Sequence, residues 1–256
     1  MSSTAPQRSD LEWPEHEPYE DVPLGNLKSG KEAEIFLVER RYASGPRLLA
    51  HKRYRPRRPV KGQLREEGFS NSTAYRADSV YRGTWAFLNA RDQRAVTAGN
   101  KSGYGQELAG SLWPALEWLW LRRAWEAGAS VPYPVEQTDH GLLMEYIGDE
   151  SMAAPKLAQA RLEPDALASA WAQLQANLRA LTEAGLVHAD LSAYNLLWWE
   201  GRLVLIDLPQ AVEFTTNAEA WDLLHRDVAN VGDWFTRHGY PVDVEEVYVD
   251  LLTLVR

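Results

Sequence analysis

Apolar positions along the chain fall into distinct regimes. Two short runs, IFLVE at 35–39 and RLLAHK at 47–52, flank Ser44, Gly45 and Pro46, which predicts two strands joined by a turn. Residues 55–110 are polar and rich in Arg, Ser, Gly and Asn, and read as a long flexible excursion carrying one helix over 84–97. Connections of that length are usually functional or mobile. A strong helix is expected over 111–127, stopped by Gly128, followed by a rigid extended link over 131–134. GLLMEYI at 141–147 reads as a strand that Gly148 and Asp149 break. Leu167, Trp171, Leu174, Leu178 and Leu181 keep helical spacing, predicting a helix over 165–184 that Gly185 ends. Glu200 and Gly201 separate apolar runs at 196–199 and 202–206, the pattern of a short hairpin. Helices over 218–238 and 243–255 close the chain, whereas residues 1–20 are acidic, proline-bearing and expected to be poorly ordered.

Strands therefore dominate before residue 150 and helices after it. The expected class is α+β, with a β-rich N-lobe over 21–147, a helical C-lobe over 148–256, a hinge near Gly148 and a ligand cleft between the lobes. The net charge of −9 argues against non-specific nucleic-acid binding. HKRYRPRRPVK at 51–61 runs the other way; it reads first as a solvated basic face and second as a contact for phosphate or RNA. With no cysteine, thiol catalysis, disulfides and thiolate metal sites are excluded. No apolar run approaches the ~18 residues of a membrane span. The first residues lack a basic-then-apolar leader, so a cytoplasmic location without membrane partners is expected.

The chemistry concentrates in LVHADLSAYNLLWWEGRLVLIDLPQAVE, 186–213. Asp190, Asn195 and Asp207 are polar residues in an apolar stretch, and each costs free energy unless paired or ligated. The hairpin places Asn195 and Asp207 at its two open ends, with Asp190 facing the same space. Two carboxylates and an amide oxygen suit Mg²⁺ carrying phosphate oxygens. HADLSAYN fits the kinase catalytic-loop pattern His-x-Asp-x-x-x-x-Asn, and IDLPQ stands where kinases carry Asp-Phe-Gly. A kinase also needs a strand lysine for the phosphates, for which Lys52 qualifies. It needs a helix glutamate to pair with that lysine. Glu117 shares a face with Trp113, Trp120 and Ala124, so it needs a cation there, with Arg122 and Arg123 as the competitors. LGNLKSGKEAEIF, 24–36, occupies the place of a phosphate-covering loop without its usual glycine pattern. Trp118, Trp120, Trp198 and Trp199 read as core or lobe packing rather than base-stacking platforms.

These segments resemble the RIO family of atypical protein kinases. SGKEAEIF is similar to that family's phosphate loop. GASVPYP, LLMEYIGDESMAAPKL, LVHADLSAYNLL, LIDLPQAVE and RDVANVGDWFTRHG match family segments in order, from about residue 24 to the end. The resemblance is to the branch without an N-terminal winged-helix domain. It implies a RIO-type serine/threonine kinase dependent on ATP and Mg²⁺, with Asp190 as catalytic aspartate, Asn195 and Asp207 as metal ligands, and Lys52 and Glu117 as the ion pair. It further implies that Ser29, Gly30, Lys31 and Glu32 contact phosphates and that Glu145 and Ile147 offer backbone groups to adenine. An aspartyl-phosphate on Asp207, and hence ATPase turnover, is implied too. The protein substrate is left open, with the chain itself as one candidate and autophosphorylation expected within 55–110. Ala189 stands where ordinary kinases carry arginine, and the usual activation loop is lacking, so control by a phosphorylated activation loop is not expected. Two alternatives share much of this pattern: a small-molecule phosphotransferase of aminoglycoside or choline type, and an ATP-gated, non-catalytic assembly factor on a ribosomal particle or RNA.

Overall fold

The computed structural model describes residues 13, 14, 16–30, 33–54, 103–139 and 141–255, with 103–113 described by backbone alone. Lys31, Glu32, the helix expected over 84–97 and the bulk of the 55–110 stretch lie outside the described residues.

An antiparallel sheet fills the first half, in the order β1 (Tyr19–Ser29), β2 (Ala33–Tyr42), β3 (Gly45–Tyr54), β5 (Gly141–Glu145), β4 (Pro134–Thr138). β2 and β3 contain the two expected strands and extend beyond them. Their pairing runs without a slip from Ala33↔Tyr54 to Tyr42↔Gly45, with Gly45 taking the positive φ of 123° that the tight turn requires. β1 and β4 were not expected. β1 is exposed along almost its whole length and follows β2 through two register shifts, so backbone pairing rather than buried side chains makes it a strand. It also takes in Tyr19 and Glu20, from the stretch expected to be poorly ordered. Earlier still, Trp13 stacks on Tyr133 with centroids 4.9 Å apart, beside the cluster of Val38, Leu49 and Leu143.

Helix α1 (Gly103–Glu126) begins at Gly103 rather than at residue 111 and tolerates Pro114 inside it. Its C-terminal half packs Leu116, Trp120, Leu121 and Ala124 into the main core. That core continues through α2 (Pro164–Glu183), α3 (Ala220–Arg237) and α4 (Val244–Leu252). Trp118 and Trp198 pack against it, Trp120 is inside it, and Trp199 packs on the smaller cluster of Ile147, Ala154 and Val204. Between α2 and α3 run four short strands, β6 (Leu186–Val187), β7 (Leu196–Trp199), β8 (Arg202–Leu205) and β9 (Val212–Glu213), paired as β6–β9 and as the expected β7–β8 hairpin. The architecture is α+β, sheet-rich first and helical afterwards, with the kinase-like layout that the sequence implies.

Candidate active site

A cavity of about 780 Å³ opens between the sheet and the helical part. Side chains alternate sides along a strand, so Ala50, Lys52 and Tyr54 of β3 all reach it. Lys52 sits on an interior strand, between Ile35 of β2 and Leu142 of β5. Its ammonium lies 2.6 Å from Glu117 Oε1 and 2.7 Å from Asp207 Oδ1. The expected Lys52–Glu117 pair is thus formed, and Arg122 goes instead to Glu126. The Tyr54 hydroxyl donates to the second Glu117 oxygen. Lys52 and Glu117 side chains are only 10% and 4% exposed, whereas Asp207 is 46% exposed and open to the cavity.

The electrostatics follow from that enclosure. Burial alone would lower the Lys52 pKa, yet the flanking carboxylates of Glu117 and Asp207 outweigh it and hold the amine well above its ordinary range. Burial raises the Glu117 carboxyl, against the opposing pull of Lys52. Lys52 draws the Asp207 carboxyl down, so that group is an anion at neutral pH. Desolvation, reinforced by Glu117, keeps the Tyr54 hydroxyl protonated.

The hairpin joins the other two residues. Asn195 and Ile206 flank the pair Leu196↔Leu205, with Asp207 the next residue, and the Ile206 N–H donates to the Asn195 carbonyl at 3.0 Å. The Asn195 amide donates to the Asp190 carbonyl at 2.8 Å and to Asp190 Oδ2 at 3.3 Å. Asn195 and Asp207 line the cavity; Asp190 stands just beyond its lining. Asn195 Oδ1 and the second Asp207 oxygen are left as hard donors. No group of three carboxylate or imidazole ligands exists among the described residues, so a bound cation would draw its remaining ligands from phosphate and water. That is the usual donor set of Mg²⁺, and the residues fit it.

Gly30 lines the cavity, and its N–H donates to the Ala33 carbonyl at 2.9 Å. Ser29 is exposed, and its hydroxyl lies 3.4 Å from a Glu34 carboxylate oxygen, outside the cavity lining. Glu145 and Ile147 line the same cavity. The Glu145 carboxylate accepts from Arg202 at 3.0 Å and from the Tyr133 N–H at 3.1 Å. Within the basic stretch at 51–61, Lys52 turns inward, His51 is half-buried and Arg53 is exposed; residues 55–61 lie outside the described residues.

Besides the cavity cation Lys28, three contributors were missed by sequence reasoning. Tyr54 is one and Lys156, in the cavity wall, is another. The third is Asp227 of α3, fully buried, which accepts the N–H groups of Ala189 at 2.7 Å and Leu191 at 2.9 Å. Arg226 donates to the Ala189 carbonyl at 2.6 Å. These bonds hold Ala189 at a φ of 62°, a conformation costly for a non-glycine residue, and so fix the loop bearing Asp190. Burial pushes the Asp227 carboxyl up to about 6, despite two N–H donors that favour the anion. Its signal was available: Leu223, Leu224, Asp227, Val228 and Val231 share one helical face, and a lone carboxylate there needs partners.

A family model described as the RIO domain matches residues 82–247. Among curated proteins, the chain is 38% identical over 136 residues to the RIO-type serine/threonine-protein kinase Rio1 of Haloferax volcanii, covering 53% of this chain and 46% of that protein. It is 38% identical over 129 residues to the human serine/threonine-protein kinase RIO3, covering 50% and 25%. It is 33% identical over 160 residues to the serine/threonine-protein kinase RIO1 of Chaetomium thermophilum, covering 59% and 31%. The matched part therefore spans less than half of each relative's length. The family match takes in Glu117, Asp190, Asn195 and Asp207 together with the loop and hairpin that carry them, and on that match the chain belongs to the RIO domain family.

Proposed function

We propose that the protein is a Mg²⁺- and ATP-dependent serine/threonine kinase of RIO type, with lobes at 21–147 and 148–256 closing on the nucleotide. The observation that carries this reading is the Lys52 ammonium held between Glu117 and Asp207 on the cavity floor. A cation fixed in place by two carboxylates meets phosphate oxygens without reorganising. The N–H of Glu145 is taken by the Tyr133 carbonyl and the carbonyl of Ile147 by the Ala154 N–H. Adenine would therefore meet the Glu145 carbonyl and the Ile147 N–H. Gly30, with Ser29, Lys31 and Glu32, would cover the phosphates.

Asn195 and Asp207 would hold Mg²⁺, which when bound neutralises charge on the β- and γ-phosphates. Asp190 takes the proton from the acceptor hydroxyl as its oxygen bonds the γ-phosphorus; the bond to the β-phosphate oxygen breaks and ADP leaves. A second use of the site rests on the exposure of Asp207 and its φ of 69°. An oxygen of that carboxylate could itself bond the γ-phosphorus as the bond to the β-phosphate oxygen breaks and ADP leaves, giving an acyl phosphate that water cleaves to the free carboxylate and phosphate. Only residues 208–219 separate Asp207 from α3, leaving little surface for an extended peptide. Acceptors would then be compact, the chain itself among them.

The test is incubation with γ-labelled ATP and Mg²⁺ beside Asp190→Asn and Asp207→Asn. Acid-stable label lost in both variants supports the serine kinase. Hydroxylamine-labile label or free phosphate lost with Asp207 supports the aspartyl-phosphate cycle. ATP binding without label in any fraction would refute both.

A further inference from the structure

Among the described residues, two cations besides Lys52 line the cavity, and neither was singled out by the sequence motifs. Lys28 lies on β1, two residues before Gly30. Lys156 immediately precedes the short 3₁₀ turn Leu157–Gln159. Both line the cavity, and they come from opposite walls. Lys28 rides on the edge strand of the sheet. Lys156 is tied to the helical part: it bridges to Leu197, the Pro155 carbonyl accepts from Trp198 at 3.1 Å, and the Ala158 N–H donates to Ala193 at 3.0 Å. Its ammonium stands 5.7 Å from the centre of the Tyr194 ring, next to Asn195.

Among the described residues neither lysine has a carboxylate within ion-pair reach. Each instead faces the other. Burial first, and then the Lys28 ammonium, depress the Lys156 amine, while Asp207 pulls the other way. Two ammonium groups this close repel unless an anion joins them. The anion that fits is one that enters the same cavity as Lys52 and Asp207 and carries charge along its length.

We propose that Lys28, from the sheet, and Lys156, from the helical part, form a two-walled clamp that grips a phosphate of the bound nucleotide. This rests on the cavity being an ATP site. The clamp reads the polyphosphate rather than the base, so it sets preference among adenosine, ADP and ATP.

The test is calorimetric binding of adenosine, ADP and ATP, each with Mg²⁺, to the parent chain, Lys156→Gln, Lys28→Gln, the double variant and Lys156→Arg. A charge-assisted hydrogen bond lost from the complex should weaken ATP about tenfold in each glutamine variant and leave adenosine unchanged. The double variant should lose less than the product of the single losses, since one lysine without the other grips weakly. Lys156→Arg should keep most of the ATP preference. The unliganded Lys156→Gln protein should melt no lower than the parent, because a like-charge contact has been removed. An unchanged ATP-to-adenosine ratio in Lys156→Gln would overturn the clamp while leaving the ATP site intact. So would a rise in acceptor KM at unchanged ATP affinity, which would assign the lysines to the acceptor. A parent chain that binds none of the three ligands would overturn the ATP-site reading itself, and the clamp with it.

Discussion

Replacing Lys52 by methionine tests the enclosure of the ion pair directly. The substitution nearly preserves volume and leaves Glu117, 4% exposed at its side chain, with the Tyr54 hydroxyl as its remaining hydrogen-bond donor among the described residues. Asp207 is 46% exposed and can turn to water, so its loss of a partner costs little. Glu117 cannot. Breaking a buried pair by removing one member costs about 3–5 kcal/mol when the survivor stays charged. The escape is protonation. Burial already raises the Glu117 pKa, and Lys52 is the largest influence opposing that rise, so the variant raises it further. A carboxyl whose folded pKa exceeds its unfolded one contributes stability in its protonated form, and loses it as pH rises through the folded value. Destabilisation by Lys52→Met should therefore be smaller near about pH 5 than near about pH 8, where it approaches the roughly 3 kcal/mol cost of a survivor that stays charged. Urea unfolding of both proteins across that range reads the difference. Equal destabilisation at both ends, or less than about 1 kcal/mol at the alkaline end, would refute the buried, charged pair.

Two further outcomes follow from single positions. A Cβ added at Gly141 would fall 1.8 Å from the Lys52 carbonyl oxygen, so Gly141→Ala should force β5 off β3, costing about 2 kcal/mol or more in thermal unfolding; a variant melting with the parent would contradict that contact. Asp227, raised from 3.8 to about 6, should make the parent lose up to about 3 kcal/mol as pH rises between those values, since the folded state there holds a proton that the unfolded state releases. Asp227→Asn should abolish that component in urea titrations, and an unchanged pH slope would show that the group is not the one titrating.

The legible parts of this protein are those where side-chain burial determines the element. Leu167, Leu174, Leu178 and Leu181 each sit in the core on the face that their spacing implies. Asn195 and Asp207 converge because a hairpin must bring its ends together. Glu117 could be matched to Lys52 because a carboxylate on an apolar helical face has few ways to exist. β1 was illegible for the opposite reason: YEDVPLGNLKS is nearly all exposed, and its strand character comes from the β2 backbone, which the sequence of β1 does not encode. The first turns of α1 carry Gly103, Gly105 and Gly110, all poor helix formers, so propensity places the start too late. Lys156 carries no local pattern at all. Its position follows from a segment pinned to the β7 hairpin, and only the fold turns it towards the cavity.

Two non-glycine residues of the site hold positive φ, and they are held by different means. Ala189, at 62°, is fixed entirely within the helical part: Asp227 accepts its N–H and Arg226 donates to its carbonyl. The loop bearing Asp190 is therefore set before any contact with the sheet. Asp207, at 69°, has its carboxylate tied to Lys52, which belongs to the sheet and is itself held by Glu117 of α1. Strained backbone persists only where its surroundings over-determine it. At Ala189 those surroundings are one rigid scaffold, whereas at Asp207 they include both walls of the cleft. Opening the cleft would leave Asp190 and Asn195 in register, through the Asn195 amide bond to the Asp190 carbonyl, and release Asp207 alone. Of the three polar residues that motivate the assignment, Asp207 is thus the one whose position reports whether the sheet and the helical part are docked.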